Sequence, residues 1–171
     1  MNKLIVTIAF AILTQIAVAQ QPKLAVISFD ALGAQLKTDQ LTELLRIEIS
    51  KHNKYEMIDR YEINEALTAA QLDIKNCFSK SCLGKAGEIL KVDYAMSGSA
   101  DLLGDAMFIR LRMINLQNNT LEKEVVKEFL NIPEKVNTMI SICVNELVGI
   151  ANDELIVRSL SNKESYESAV N

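Results

Sequence analysis

The chain has 171 residues, a hydrophobic content of 49% and a formal net charge of −4 at pH 7. That length suits one domain with a sizeable core. The balance of 18 basic against 22 acidic residues argues against a nucleic-acid partner, because such partners favour a basic face.

The N-terminal segment has the three-part pattern of a secretory signal peptide over residues 1–19. Met1–Lys3 is short and basic, Leu4–Val18 is almost entirely apolar, and small residues precede Gln20. The alternative is a retained membrane anchor, but a spanning helix needs about 20 apolar residues and this run is shorter. We therefore expect an exported protein, periplasmic or secreted, that is soluble after cleavage near Ala19. Because the first residue after the cleavage site is Gln20 and not a cysteine, we expect that the protein is not a lipoprotein.

The first half of the mature chain alternates between strand-like and helix-like segments. Lys23–Asp30 is a short apolar run typical of a buried strand. An amphipathic helix capped by Thr38 is predicted next, and Tyr55–Asp59 alternates like a second strand. Strand, helix and strand in this order favour a parallel pair. Two further helices follow, one capped by Asp59 and one by Ser81.

The second half is rich in strands. Period-two alternation predicts strands at Tyr94–Leu103, Met107–Ile114 and Leu121–Leu130, joined by tight turns as an antiparallel meander. Pro133 suits the first turn of a last helix. The polar, Ser-rich residues 153–171 predict a flexible tail.

The predicted fold class is α+β, in one domain over residues 20–152. The expected architecture has helices packed on one face of a mixed sheet. Its order is β-α-β-α-α-β-β-β-α, with an early parallel strand pair and a C-terminal antiparallel meander.

Three cysteines occur in the chain. Cys77 and Cys82 are five positions apart in a polar loop, and in an exported chain this favours a disulfide. Free thiols, or redox or metal chemistry, are the alternatives, although a redox pair normally has two residues between its cysteines. Cys143 lies on an apolar helical stripe and is predicted to be a buried free thiol.

No catalytic, metal-binding or cofactor-binding constellation is predicted. His52 is the only histidine, and it lies where a helix gives way to a turn. No GxSxG element accompanies it. The segment Gly84–Gly87 lacks the spacing of a phosphate-binding loop.

One strand face carries a candidate interaction patch. Phe108, Arg110 and Arg112 alternate with apolar residues and therefore project from the same side of their strand. The alternative is a solvated face on which the arginines pair with glutamates of the next strand.

The predicted elements resemble a known group of bacterial envelope domains. The stretches that carry the resemblance are KLAVISFD, TDQLTELLRIEIS, YEMIDR, CLGKAGEILKVDYAMSGSADLLGD and MFIRLRMINLQNNTLEKE. Within them, Gly87, Leu90, Asp93, Tyr94 and Gly98 match the family pattern of a helix that leads into a strand. The chain resembles the group that includes the TolB amino-terminal domain, CsgG and FlgO.

This resemblance implies a non-enzymatic module that binds other envelope proteins, as an accessory to a cell-envelope, secretion or cell-wall assembly. Pore formation is not implied, because the chain has no anchor cysteine and no spare length for the hairpins of CsgG-type channels. We expect no nucleic-acid partner and no membrane span after signal cleavage, and a homo-oligomer is left open. The alternatives are an envelope hydrolase with paired carboxylates, for example Asp101 and Asp105, and a small-ligand-binding or disulfide-handling periplasmic protein.

The predicted signal peptide leads to a direct test. N-terminal sequencing of the exported protein should start at Gln20, because the small residues before it suit signal peptidase. A mature chain that still begins at Met1 would contradict the export prediction.

Overall fold

The computed structural model describes residues 20–75 and 77–170, so the predicted signal peptide lies outside the described residues. The elements, in chain order, are β1 (Lys23–Asp30), α1 (Thr38–Ser50), β2 (Glu56–Met57), α2 (Arg60–Ala69), α3 (Lys80–Leu90), β3 (Tyr94–Leu103), β4 (Ala106–Asn115), β5 (Thr120–Leu130), a 3-10 turn (Pro133–Lys135), α4 (Val136–Val148), α5 (Glu154–Ser161) and α6 (Lys163–Val170). None of the helices in these ranges is long and apolar enough to cross a membrane.

The strands form one mixed sheet in the order β2-β1-β3-β4-β5. Strand β1 is parallel to both of its neighbours, β2 and β3, whereas β3, β4 and β5 are antiparallel. The predicted α+β class, the early parallel pair and the C-terminal meander are therefore confirmed.

Helices cover both faces of this sheet. On the first face, α1 and α4 enclose the larger core, which includes Leu45 of α1, Phe29 of β1 and Met139 of α4. On the second face, α2 and α3 enclose a smaller core around Ala25 of β1 and Leu83 of α3. The sequence led us to expect helices on one face of the sheet, and the first face has this layer. The second face has an additional, partial layer formed by α2 and α3.

The path of the chain around β1 explains the second layer. Helix α1 connects β1 to β2 on one side, and α2 with α3 connects β2 to β3 on the other side. Right-handed crossovers that run in opposite lateral directions must lie on opposite faces of a sheet. Every residue from Leu24 to Phe29 is accordingly buried.

The helix starts agree in part with the sequence predictions. Asp59 caps α2 by accepting a hydrogen bond from the backbone N–H of Tyr61. Helix α3 is capped by Ser79, which accepts from the N–H of Cys82, and not by Ser81. Thr38 is the first residue of α1 and provides no side-chain cap.

The predicted polar tail contains two helices, α5 and α6. Asp153 caps α5 by accepting from the N–H groups of Leu155 and Ile156. Leu160 is only 3% exposed and belongs to the larger core. The sequence pattern missed α5 because its eight residues are fewer than the window of about 11–18 residues over which helical periodicity is read.

Gly98 of β3 allows an aromatic ring to lie against the sheet. A Cβ atom at this position would be 2.5 Å from Cε2 of Phe29, which is itself buried at the end of β1. Gly84 of α3 is different, because its Cβ would find its nearest atom 3.6 Å away.

These two glycines form a matched pair for mutation. Gly98→Ala should lower the free energy of unfolding by about 1–3 kcal/mol, because Phe29 must leave its place in a close-packed core. Gly84→Ala should be neutral or stabilising by up to about 1 kcal/mol, since alanine is the better helix former. Urea unfolding of both variants measures the difference, and equal stabilities would contradict the packing described here.

Candidate functional site

The second face of the sheet is covered by α2 and α3 only near β1 and the adjoining ends of β3 and β4. We call the remaining part the open face, and the register places three strands on it. Its residues are Ser97, Ser99 and Asp101 of β3, Phe108, Arg110 and Arg112 of β4, and Glu124, Val126 and Glu128 of β5.

The structure brings the predicted patch together on this open face. Arg110 is exposed, and Phe108 and Arg112 are half-buried. The alternate residues of β4, such as Ile109 and Leu111, are fully buried against the first face. The residues that alternate in the sequence therefore lie on two different sides of β4, one facing the core and the other accessible to a partner.

The two arginines of the patch differ in their partners. Arg112 lies opposite Glu124 and donates to its Oε1 from Nη2 at 2.8 Å and from Nε at 3.2 Å. Arg110 lies opposite Val126 and has no ion-pair partner among residues 20–75 and 77–170. The alternative of cross-strand pairing with glutamates thus describes Arg112, whereas Arg110 keeps an accessible charge.

A groove of about 270 Å³ lies beside Arg110, on the side of the open face that adjoins β1. Asp30 at the end of β1 and Asp101 of β3 contribute carboxylates to its lining. Asp101 accepts a hydrogen bond from the Ser99 hydroxyl at 3.0 Å. Leu32 and Phe78 add apolar surface at its edge. The groove can therefore contact both polar and apolar groups of a binding partner.

A disulfide joins Cys77 to Cys82 beside this groove, as the sequence predicted. The carbonyl of Cys77 accepts a hydrogen bond at 2.9 Å from the hydroxyl of Ser28, which lies on β1. Cys82 lies in the first turn of α3, and Phe78 lines the groove. The disulfide loop therefore connects the helical layer to the rim of the open face.

The other candidate groups stay apart from the groove or act structurally. Asp105 lies in the turn between β3 and β4 and does not line the groove with Asp101. No group of three potential metal ligands occurs in the part of the chain that the structure describes. Cys143 is buried without a disulfide partner, and burial raises the pKa of its thiol to about 12.

A second groove lies between α1, α2 and the end of β1. Arg46, one of its basic residues, donates to the carbonyl of Val26 at 2.7 Å and to Glu43 at 2.9 Å. Burial lowers the pKa of Arg46, although the neighbouring carboxylate of Glu43 opposes this shift. The register of β1 against β3 shifts just after Val26. Arg46 therefore stabilises an irregular strand.

Sequence reasoning identified Arg110 and Arg112, which line the groove, but missed the groove residues that come from outside the antiparallel meander. Asp30, Leu32 and Phe78 lie far from β4 along the chain, and only the strand order brings them to Arg110. The one available indication was Asp30, which stands at the carboxyl end of a predicted parallel strand, where binding sites of such sheets often lie.

Comparison with known proteins supports the fold. No protein-family model and no curated protein matches the chain. The LpoB C-terminal domain from Salmonella enterica superposes with a TM-score of 0.57 at 15% identity, over 73% of this chain and 94% of that chain. The corresponding domain from Escherichia coli gives 0.55 at 15% identity, over 71% and 92%. Lipoprotein GNA1162 from Neisseria meningitidis gives 0.55 at 10% identity, over 77% and 99%.

At these identities the similarity shows the fold alone. The chain has the fold of these solved domains, in agreement with the α+β architecture that the family resemblance implied.

The disulfide beside the groove is open to a direct test. Mass spectrometry of a non-reduced digest of the exported protein should find the Cys77–Cys82 link. Replacing both cysteines by serine should lower the free energy of unfolding by about 2 kcal/mol, the chain-entropy value for so short a loop. Free thiols at both positions in exported protein would contradict the assignment.

Proposed function

We propose that this chain is a non-enzymatic periplasmic domain that binds other envelope proteins, as an accessory to a cell-envelope, secretion or cell-wall assembly. Three features support the proposal: the leader pattern, the Cys77–Cys82 disulfide expected of an oxidising compartment, and a fold shared with envelope domains. The resemblance to the TolB amino-terminal domain, CsgG and FlgO points to the same role.

The open face is the proposed binding surface, and Arg110 is the observation that carries it. Its guanidinium offers five N–H donors, is exposed, and has no ion-pair partner in the described residues. Val126 lies directly opposite it on β5, and Phe108 lies two residues before it on the same side of β4. Arginine and aromatic side chains dominate the energetics of protein interfaces, so this combination suits a binding centre.

We further propose that the protein acts without a lipid anchor of its own. GNA1162 is named as a lipoprotein. This chain has no cysteine next to Ala19, and its first cysteine is Cys77. Attachment to an envelope assembly would then depend on the open face.

Replacement of Arg110 tests the proposed surface. Arg110→Ala should reduce capture of the partner from intact, cross-linked envelopes by about tenfold or more, the usual cost of an interface hot spot. Quantitative mass spectrometry of the captured proteins gives the measurement. Arg60→Ala removes the same charge from exposed α2 and should leave capture unchanged.

Two outcomes would contradict the proposal. One is undiminished capture by the Arg110→Ala protein, which would exclude the open face. The other is the absence of any reproducibly captured envelope protein, which would remove the interaction role itself.

A further inference from the structure

Strand β5 is an edge strand with a free lateral side. It hydrogen-bonds to β4 on one side, and in the strand order no described strand lies beyond it. The opposite edge is formed by β2, which has only two residues. The long edge of this sheet is therefore β5, with eleven residues.

One contact reveals which backbone groups of β5 point outward. The hydroxyl of Ser161 on α5 donates to the carbonyl of Glu128 at 3.4 Å, so this carbonyl points away from β4. In an antiparallel strand the N–H and C=O of one residue point to the same side, and the side alternates along the strand. The backbone groups of Val126 and Glu124 therefore also point outward.

Helix α5 covers only the C-terminal part of this edge. No hydrogen bond from another described segment reaches the backbone of Glu124 or Val126. Val126 is 49% exposed, although it is a large apolar residue in a strand. Soluble proteins usually protect such edges, because free N–H and C=O groups pair readily with another strand, and the glutamates and lysines of β5 restrict this pairing to a strand with complementary charges.

We propose that a partner protein adds an extended segment to β5 as a sixth strand. This inference rests on the proposed function and specifies how the partner binds. Main-chain hydrogen bonds to Glu124 and Val126 would supply affinity, as in other cases of strand addition to a sheet edge. The added strand would also extend the open face beyond Val126, on the same side as Arg110.

The charges of β5 define the partner sequence. Glu124, Val126 and Glu128 also place their side chains on the open face, where the Glu124 carboxylate accepts from Arg112 as well; main-chain pairing is open at Glu124 and Val126, since the Glu128 carbonyl accepts from Ser161. Residues directly opposite each other on neighbouring strands interact most strongly, and opposite charges are favoured. The segment that fits has a basic, an apolar and a basic residue at alternate positions.

A second copy of this chain fits the edge poorly. If two copies of β5 paired about a two-fold axis at residue 124, Glu124 would lie opposite Glu124 of the other copy. An axis at residue 126 would place Glu124 of each copy opposite Glu128 of the other. An axis at residue 125 places Lys123 opposite Lys127. Each of these registers is penalised by like charges, so the edge favours a different, basic partner segment.

The binding mode is testable with a defined probe, the synthetic peptide TKTVTKT. Its addition to the full mature protein should slow amide hydrogen exchange of Val126 and Glu124 by about tenfold or more at saturation, measured by NMR. The acidic peptide TETVTET is the matched control and should give no protection. Equal protection by both peptides, or protection at neither amide, would overturn the inference.

A proline substitution tests whether the backbone N–H of Val126 contributes to partner capture. Val126→Pro removes an outward N–H and leaves the β4–β5 ladder intact, since proline is tolerated on the free side of an edge strand. It should reduce capture about tenfold, whereas Val126→Ala, which keeps the N–H, should reduce it less. Circular dichroism and the melting temperature check the fold, and the exchange experiment on the unmodified protein decides the question if the proline variant unfolds.

The two surface variants separate the two proposals. Loss of capture with Arg110→Ala but full capture with Val126→Pro would retain the open face and overturn strand addition. Full capture with both variants would contradict both proposals. Loss with both is the result that we expect.

Discussion

The burial of β1 on both of its faces is the constraint on which the rest of the structure depends. Every residue from Leu24 to Phe29 is buried, and β1 lies between two parallel neighbours. A strand in this position needs an apolar layer above and below it. Helices α1 and α4 supply the first layer, and α2 and α3 supply the second. The second layer is short, however, so it protects β1 and leaves most of β4 and β5 without a cover.

This unequal coverage gives the molecule its candidate binding surface. Where helices end, the second face changes from apolar residues such as Ala95 to the polar and charged residues of the open face. The disulfide at Cys77 stands at this boundary and fixes the loop that carries Phe78. An exposed arginine, neighbouring aromatic rings and a free strand edge on one surface suit recognition of another protein.

The sequence predicted the strands and most helices well, but it predicted their arrangement around the sheet only in part. The alternation of Phe108, Arg110 and Arg112 with apolar residues was enough to place them on one side of a strand. The unbroken apolar run of β1 already contained the information for burial on both faces, but helical periodicity reveals only that a helix has an apolar side, not which face of the sheet it covers. The groove and the edge position of β5 could not be predicted, because both depend on strand order. Asp30 and Phe78 reach Arg110 only through that order.

Site-specific photo-cross-linking in the intact envelope tests most directly whether the open face binds an envelope protein. A photoreactive residue would replace Phe108 on the open face and, separately, Glu65 on the exposed side of α2. This account predicts that the probe at position 108 forms an adduct with a defined envelope protein and that the probe at position 65 forms none. Adducts from position 65 alone would place the binding surface on the helices and contradict the account.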